Sequence, residues 1–263
     1  MIIFLHSSKT MRDARDFEVS GETPALLDEA NKLALYLKSL SVKQLEKAMG
    51  LSTSMAEKTH TLIQSWSELH PTLPAIDIFL GDIYSGLQVQ SFSAEDRSYA
   101  HEHLFILSGL YGVLRALDAI QPYRLEMGYK LPDITSLYTF WGDKIAKQLP
   151  FHQDIVNLSA VEYTKAVLPY FQQIDGLKGA RIITPKFLTV SQKTHEPTFV
   201  TVHAKIARGA FARWIIQNRI ERIEELNNFN EIGYTYAPEL SSEDQPVFIA
   251  QEFKGIGLSV RLS

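Results

Sequence analysis

The 263-residue chain contains no cysteine. This absence excludes disulfide bonds, thiolate metal sites, cysteine-bound iron–sulfur clusters and a cysteine nucleophile. No segment has the roughly 18 consecutive apolar residues of a membrane span, and the N-terminus lacks the basic start and longer apolar run of a signal peptide. We therefore expect a soluble, cytoplasmic protein that does not bind a membrane.

Excess positive charge is also missing, since the net charge is -4 at pH 7. Any nucleic-acid site must therefore be a local basic patch. The P-loop and dinucleotide fingerprints are absent, and Ser108 does not lie in a G-x-S-x-G elbow. His101 and His103 would lie on different faces of a helix and cannot easily share a metal ion. We predict neither a metal site nor a cofactor.

Hydrophobic residues make up 45% of the chain, enough for a sizeable core. Their spacing predicts strands and helices that do not alternate regularly, which favours a mixed α+β fold in a single compact domain over residues 1–263. The strands include Ile2–His6, Ala75–Leu80 and 105–109. The helices include Pro24–Leu40, 93–104, with Ser93 as N-cap, 135–149 and 204–220.

Residues 41–66 are predicted to form a pair of helices. Ser41 and Gln44 form a capping-box pattern, so a helix should begin at Val42 and end at Gly50. Either Ser52, or Ser54 with Glu57, would cap a second helix that runs to about Trp66.

The link between these helices, MGLSTSMA, is similar to the turn of a helix-hairpin-helix motif. In that motif the hairpin amides and the start of the second helix hold a DNA phosphate. The usual second glycine is Ser52 here. The segment from residue 38 to residue 60 contains four lysines and two glutamates. Such a site would give weakly sequence-specific, salt-sensitive binding, and its alternative is an ordinary helix pair. The predicted DNA-binding residues are Lys43, Lys47, Gly50, Leu51, Ser52, Thr53 and Lys58.

The stretch 107–131, LSGLYGVLRALDAIQPYRLEMGYKL, combines glycine, tyrosine and charged residues in an apolar segment. A strand, a glycine turn and a short helix with Leu110, Val113, Leu114 and Leu117 facing the core would explain its apolar residues. The remaining residues suit either an anion or sugar-phosphate site or a structural ion-pair network.

A second basic segment lies near the C-terminus, in AKIARGAFARWII at residues 204–216. It would form either a solvated helix face or one wall of an anion-binding cleft. The predicted cleft residues are Lys9, Arg115, Arg124, Lys205 and Arg208.

Taken together, these segments resemble the YaaA family of bacterial peroxide stress resistance proteins. The central stretch carries the closest likeness, although Ala116 stands where the family pattern has proline. Further matching segments run in family order along the chain: SSKT at 7–10, GDIYSGL at 81–87, LYTFWGD at 137–143, VNLSAVEY at 156–163, AKIARGAFARWII at 204–216 and FNEIGYTY at 229–236.

The resemblance implies a family-specific single-domain fold with an embedded helix-hairpin-helix and a positively charged cleft. It also implies binding to DNA, including duplex, and a role in surviving hydrogen peroxide by limiting unincorporated iron and oxidative damage. Direct iron sequestration is disfavoured, because the sequence offers no 2-His-1-carboxylate pattern.

Two hypotheses therefore remain. The first is a DNA-binding stress protein that engages phosphates of duplex or single-stranded DNA. The second is an enzyme acting on a nucleotide, a damaged base or nucleic acid, with a small anionic or nucleotide ligand in the cleft. Its candidate catalytic residues are Lys9, Asp82, Tyr84, Tyr111 and Glu126.

Overall fold

A computed structural model describes residues 1–13, 21–67, 72–150 and 152–257. The strands are β1 Ile2–His6, β2 Thr10–Met11, β3 Leu73–Pro74, β4 Phe79–Leu80, β5 Leu104–Ser108, β6 Gly112–Arg115, β7 Ala119–Ile120, β8 Ile155–Asn157, β9 Ile182–Ile183, β10 Lys186–Val190, β11 Pro197–Thr198, β12 Tyr234–Tyr236 and β13 Val247–Ala250. The α-helices are α1 Leu27–Lys38, α2 Val42–Met49, α3 Thr53–Ser65, α4 Ala75–Ile78, α5 Asp82–Leu87, α6 Ala94–His103, α7 Leu137–Trp141, α8 Val161–Thr164 and α9 Thr201–Asn218.

A five-stranded sheet with the order β6-β5-β1-β8-β9 forms the centre of the protein. Strands β5, β1, β8 and β9 are parallel, and only β6 runs antiparallel to its neighbour. Residues Ile2 to Leu5 of β1 are almost completely buried. A continuous apolar run of this kind is typical of a parallel strand covered on both faces.

The order of this sheet reverses at β1. The chain goes from β1 to β5 on one side, whereas β8 lies on the other side of β1 and continues to β9. In open sheets with parallel strands, ligands bind outside the carboxyl ends of strands at such a switch point. The fold therefore favours the carboxyl ends of β1 and β8 as a place for function.

A second sheet, β11-β10-β13-β12, packs with α9 around an aromatic cluster that includes Phe187, Phe211 and Phe248. Helix α9 also crosses α5 at very short range. A Cβ at Gly209 would lie 1.8 Å from the carbonyl oxygen of Ile83, and a Cβ at Gly86 would lie 2.0 Å from that of Ile206. The two glycines thus allow backbone-to-backbone packing between α5 and α9.

The predicted helix pair is present as α2 and α3. The Ser41–Gln44 capping box forms, α2 begins at Val42, and Gly50 ends it with a left-handed φ of 60°. The Ser52 hydroxyl accepts a hydrogen bond from the Met55 amide and caps α3. The helices and their caps agree with the prediction, whereas their assignment as a DNA-binding helix-hairpin-helix stays a prediction.

The mixed α and β fold in one compact unit is confirmed, but three local predictions are wrong. Residues Gly112 to Arg115 form a strand paired with β5 instead of a helix. Gly112 has φ 70°, and a Cβ there would lie 2.9 Å from the Trp141 ring. A left-handed residue packed against a tryptophan favours a tight hairpin over a continuing helix.

The second wrong prediction is a strand over Ala75–Leu80. The amides of Ala75 and Ile76 donate to the carbonyls of Asp118 and Ala116. These bonds to an irregular segment hold the chain in the helical turn α4, so that only Phe79–Leu80 remains a strand.

The third is the long helix over 135–149. It ends at Trp141, because Gly142 has φ 50° and ψ −132°, a conformation that no α-helical residue adopts.

Candidate functional site

A groove of about 720 Å³ lies between α3 and two neighbouring segments of chain. One segment follows β1 and the other follows β7. The described lining residues are Lys9, Thr10, Met11, Arg12, Asp13, Met55, Lys58, Thr59, Thr61, Leu62, Ser65, Gln121, Pro122, Tyr123 and Arg124. Four of these are cations and one is an acid, so the described lining is locally basic on a mildly acidic protein.

Backbone interactions hold the walls of the groove in place. Strand β2 pairs antiparallel with β4, and the Arg12 amide donates to the Ile78 carbonyl at 2.7 Å. The Tyr123 amide donates to Met11 Sδ at 3.2 Å, which joins the segment after β1 to the segment after β7. The cations of both segments are therefore carried on anchored backbone.

Arg124 lines the groove and has one unpaired hydrogen-bonding group. Its Nε is buried and has no hydrogen-bond partner in the described ranges. Burying a guanidinium N–H without a partner costs free energy.

The predicted DNA-binding residues are spread along the helix pair, with two lysines on α2, the Gly50 turn between the helices, and Thr53 and Lys58 on α3. Lys43, Lys47 and Lys58 are exposed, as are Gly50, Ser52 and Thr53, whereas Leu51 is half-buried against the core. Lys58 also lines the groove. Helix α3 therefore follows the α2–α3 turn and also lines the groove, to which it contributes Lys58.

The carboxyl ends of β1, β5 and β8 carry a largely buried cluster of polar side chains, which we call the sheet edge: His6, Ser7, Ser108, Ser159 and, from α8, Tyr163. Ser108 Oγ and the Tyr123 hydroxyl are hydrogen-bonded at 2.6 Å, and Ser7 Oγ donates to the Tyr163 hydroxyl at 3.2 Å. Burial raises the pKa of Tyr123 and of Tyr163 well above the usual range. Both phenols are therefore neutral hydroxyls at physiological pH.

Lys9 and Glu126 form an ion pair with 3.9 Å between Nζ and Oε2. Burial raises the pKa of Glu126, the positive charge of Lys9 opposes that rise, and the negative charge of Glu162 adds to it. Glu162 in turn accepts the Gly128 amide at 2.8 Å. A partly buried acid beside a lysine can exchange a proton with a ligand.

His6 lies at the end of β1 with a defined protonation pattern. The Ala160 amide donates to His6 Nδ1 at 3.2 Å, so this nitrogen carries no proton and Nε2 carries one. Burial, and after it the positive charges of Arg208 and Lys205, together lower the pKa of His6 to about 3. The predicted cleft residues Arg208 and Lys205 therefore lower the pKa of a residue of the sheet edge. Neither is among the described lining residues of the groove.

Three other predicted residues have structural partners. Arg115 Nε donates to the His101 carbonyl at 2.8 Å, away from the described groove lining. The Tyr111 hydroxyl accepts the Gln121 amide at 3.2 Å, and burial raises its pKa to about 12. Tyr84 donates to the His6 carbonyl at 3.0 Å, which ties α5 to β1.

Asp82 opens α5 and is half-exposed. The two histidines of α6 have separate partners, since His101 Nε2 lies 3.2 Å from Glu22 and His103 Nδ1 lies 2.9 Å from the Met1 carbonyl. In the ranges that the structure describes, His, Asp and Glu side chains nowhere gather in groups of three or more that could hold a metal ion.

Sequence reasoning did not select His6, Ser7, Ser159, Tyr163 or Arg12. His6 and Ser159 follow predicted strands, and this position would have indicated them once both strands were known to be parallel. Nothing in the sequence pairs β1 with β8, because more than a hundred residues separate the two strands.

Comparison with known proteins identifies the family. A family profile described as "Peroxide stress protein YaaA" matches residues 1–240. A UPF0246 protein of Salinispora tropica is 52% identical over 264 residues, covering 99% of this chain and 98% of the relative. UPF0246 proteins of Ruegeria pomeroyi and Roseobacter denitrificans are 38% and 37% identical over 260 residues, each covering 95% of this chain and 98% of the relative.

The chain belongs to the YaaA family of peroxide stress proteins. The predicted family is confirmed, and the YaaA match includes the helix pair, the groove and the sheet edge. Across the described residues of this YaaA protein, no helix combines the length and the apolar character needed to span a bilayer.

Proposed function

We propose that this YaaA protein binds DNA through its phosphates, with α2, α3 and the groove as the contact surface, and that this binding serves the peroxide stress response. The observation that carries the proposal is the position of Lys58. It lies on the capped helix after the Gly50 turn and also lines the groove that contains Lys9, Arg12 and Arg124. A phosphate backbone that crosses the turn would thus continue along a basic surface.

The geometry of the turn supports phosphate contact. The first amides of a helix have no intrahelical partner and carry the positive end of the helix dipole. Ser52 uses its hydroxyl to cap Met55, and a Cβ at Gly50 would have no atom within 4 Å. The Gly50 turn is therefore open to an approaching strand.

The test is binding of a labelled duplex and of the matching single strand over a range of salt concentrations. We expect the affinity to fall steeply with salt, and Lys58→Ala to reduce the slope of the log–log plot by about 1. Lys47→Glu and Gly50→Asp should weaken binding by adding a negative charge at the turn. Lys193→Ala, on the exposed turn between β10 and β11, is the matched control and should bind like the parent protein.

Salt-insensitive binding would contradict contact with phosphates. If both Lys47→Glu and Gly50→Asp bind as the parent does, the helix pair is architectural. Loss of binding in Lys193→Ala would show that any missing lysine charge has the same effect.

We extend the proposal to the role of limiting unincorporated iron. A protein that protects DNA at its surface would serve this role without storing iron. The test is complementation of a strain that lacks the gene, with survival in peroxide and the cellular pool of unincorporated iron measured together. Restored survival with an unchanged iron pool would refute this part of the proposal.

A second candidate function is an enzyme acting on a nucleotide, a damaged base or nucleic acid. The observation that favours it is the Lys9–Glu126 pair, next to neutral tyrosine hydroxyls at the carboxyl ends of parallel strands. Glu126→Gln keeps the size of the side chain and removes its acid–base capacity, and Lys9→Ala removes the cation. Peroxide resistance that survives both substitutions would remove the basis for this candidate.

A further inference from the structure

At the switch point between β1 and β8, the positive charges of Arg208 and Lys205 act on His6. Helix α5 connects them. The Tyr84 hydroxyl donates to the His6 carbonyl, and α5 packs backbone to backbone against α9 through Gly86 and Gly209. This packing brings α9, which carries Lys205 and Arg208, towards the end of β1.

His6 is fixed as a neutral hydrogen-bond donor. Its Nδ1 accepts the Ala160 amide at 3.2 Å and lies 3.4 Å from Ser159 Oγ, so the proton is on Nε2. Its ring stacks on Tyr163 with 4.9 Å between the centroids, which sets its orientation. Within the described residues Nε2 has no hydrogen-bond partner and remains available to a ligand.

Arg208 is half-buried and forms neither a hydrogen bond nor an ion pair with any residue in the described ranges, and the same holds for Lys205. Other arginines of this region are paired. Arg213 contacts Glu231 at 2.5 Å, and Arg219 contacts Asp96 at 2.8 Å. A half-buried guanidinium is usually paired, because an unpaired one forfeits hydrogen bonds to water.

The charged groups that perturb His6 all have the same sign. The charged groups that perturb it are Arg208 and Lys205, and both are cations. The nearby carboxylates have other partners, since Glu126 pairs with Lys9 and Glu162 accepts the Gly128 amide. The positive potential beside His6 is therefore left without compensation by these acids.

We propose that His6, Arg208 and Lys205 form a binding site for the phosphate group of a small molecule, separate from the DNA groove. A guanidinium fork, an ammonium and one neutral N–H donor complement a tetrahedral oxyanion that carries two charges. The position outside the carboxyl ends of β1 and β8 is where parallel sheets bind such ligands. The site is independent of DNA binding and goes beyond that function.

The test measures binding of inorganic phosphate and of a nucleoside 5′-monophosphate by calorimetry at constant ionic strength, with the unphosphorylated nucleoside as the comparison. We expect both phosphates to bind and the nucleoside to bind much more weakly. Arg208→Gln should reduce phosphate affinity at least about tenfold, since it removes a charge-assisted hydrogen bond. Arg222→Gln, at an exposed arginine just after α9, is the matched control and should bind as the parent does.

Two further variants examine His6. Asparagine can offer an oxygen to the Ala160 amide and lacks the distal donor, so His6→Asn should fold and bind phosphate more weakly. Glutamine can place an N–H near the position of Nε2, so His6→Gln should retain more affinity than His6→Asn. Equal phosphate affinity in the parent, His6→Asn and Arg208→Gln would overturn the proposal.

A measurement of duplex binding distinguishes the DNA backbone from a small phosphate as the ligand of Arg208. Arg208→Gln should bind duplex like the parent, because Arg208 is not among the described lining residues of the groove. If this variant loses duplex binding and the parent binds no small phosphate, Arg208 serves the DNA backbone and the proposal of a separate site is wrong.

Discussion

Acidification should destabilise this protein through His6. The pKa of His6 falls from 6.5 in the unfolded chain to about 3 in the folded protein, first because of burial and then because of Arg208 and Lys205. Between these values the unfolded chain binds a proton that the folded protein does not. The free energy of unfolding therefore falls as pH falls through this window. At pH 5 the loss amounts to about 2 kcal/mol, from 1.5 pH units at 1.36 kcal/mol each.

Other groups also titrate, so the total slope does not isolate His6. Burial raises the pKa of Asp118 to about 7. A carboxyl with a raised pKa in the folded protein increases the free energy of unfolding as pH falls. Burial lowers the pKa of His101 and of His203, which adds to the effect of His6. The informative quantity is the difference between the parent and His6→Asn at each pH.

The assay is urea unfolding followed by circular dichroism at pH 7 and pH 5. His6→Asn should lose about 2 kcal/mol less than the parent on acidification, since asparagine does not titrate. His195→Asn, at an exposed turn residue with φ 55°, is the matched control and should follow the parent. A difference below about 0.5 kcal/mol between the parent and His6→Asn would refute the reasoning.

Three other changes have defined outcomes. Asp118→Asn keeps an oxygen for the Arg115 amide and should remove stabilisation that the parent gains between pH 7 and pH 5, in the same unfolding assay. Gly209→Ala would place a Cβ 1.8 Å from the Ile83 carbonyl, and we expect thermal unfolding to show a loss of about 3 kcal/mol or more. Gly179→Ala is its control, since a Cβ there meets no atom within 4 Å and only the left-handed backbone costs about 1 kcal/mol. Ser41→Ala removes the α2 cap and should cost about 1 kcal/mol in chemical denaturation; an unchanged midpoint would contradict a stabilising cap.

The caps and turns could be predicted from sequence because they depend on residues a few positions apart. Ser41 with Gln44, Gly50, and Ser93 with Asp96 all occur as their patterns indicate. A capping hydroxyl satisfies an amide two or three residues away whatever the rest of the chain does.

The hairpin after β5 could not be predicted in the same way. Leu110, Val113, Leu114 and Leu117 have helical spacing, and a short apolar run fits a helix or a strand. Contact between Gly112 and Trp141 belongs to the tertiary fold, and it favours the strand.

The candidate site was predictable only in part for a related reason. Lys9, Arg124 and Lys58 could be selected as cations, but only the packing of α3 against the two loop segments puts them in one groove. Arg208 could likewise be selected from its basic helix. Its relation to His6 depends on the α5–α9 contact and on a strand order that local patterns do not encode.

The acid response of His6 and the proposed phosphate site are linked, and the link gives a final test. Arg208 and Lys205 lower the pKa of His6 by repelling its charged form, so a bound dianion should reverse this effect and raise that pKa. Tyr84 and Tyr163, which also contact His6, carry no charge to compete, because burial raises the pKa of both phenols. Sulfate keeps two charges at pH 7 and pH 5 and should therefore stabilise the parent more at pH 5. Arg208→Gln should show only the general effect of sulfate on folding, with less dependence on pH. Equal sulfate stabilisation of the parent at both pH values would mean that bound sulfate does not raise the pKa of His6 into this pH range.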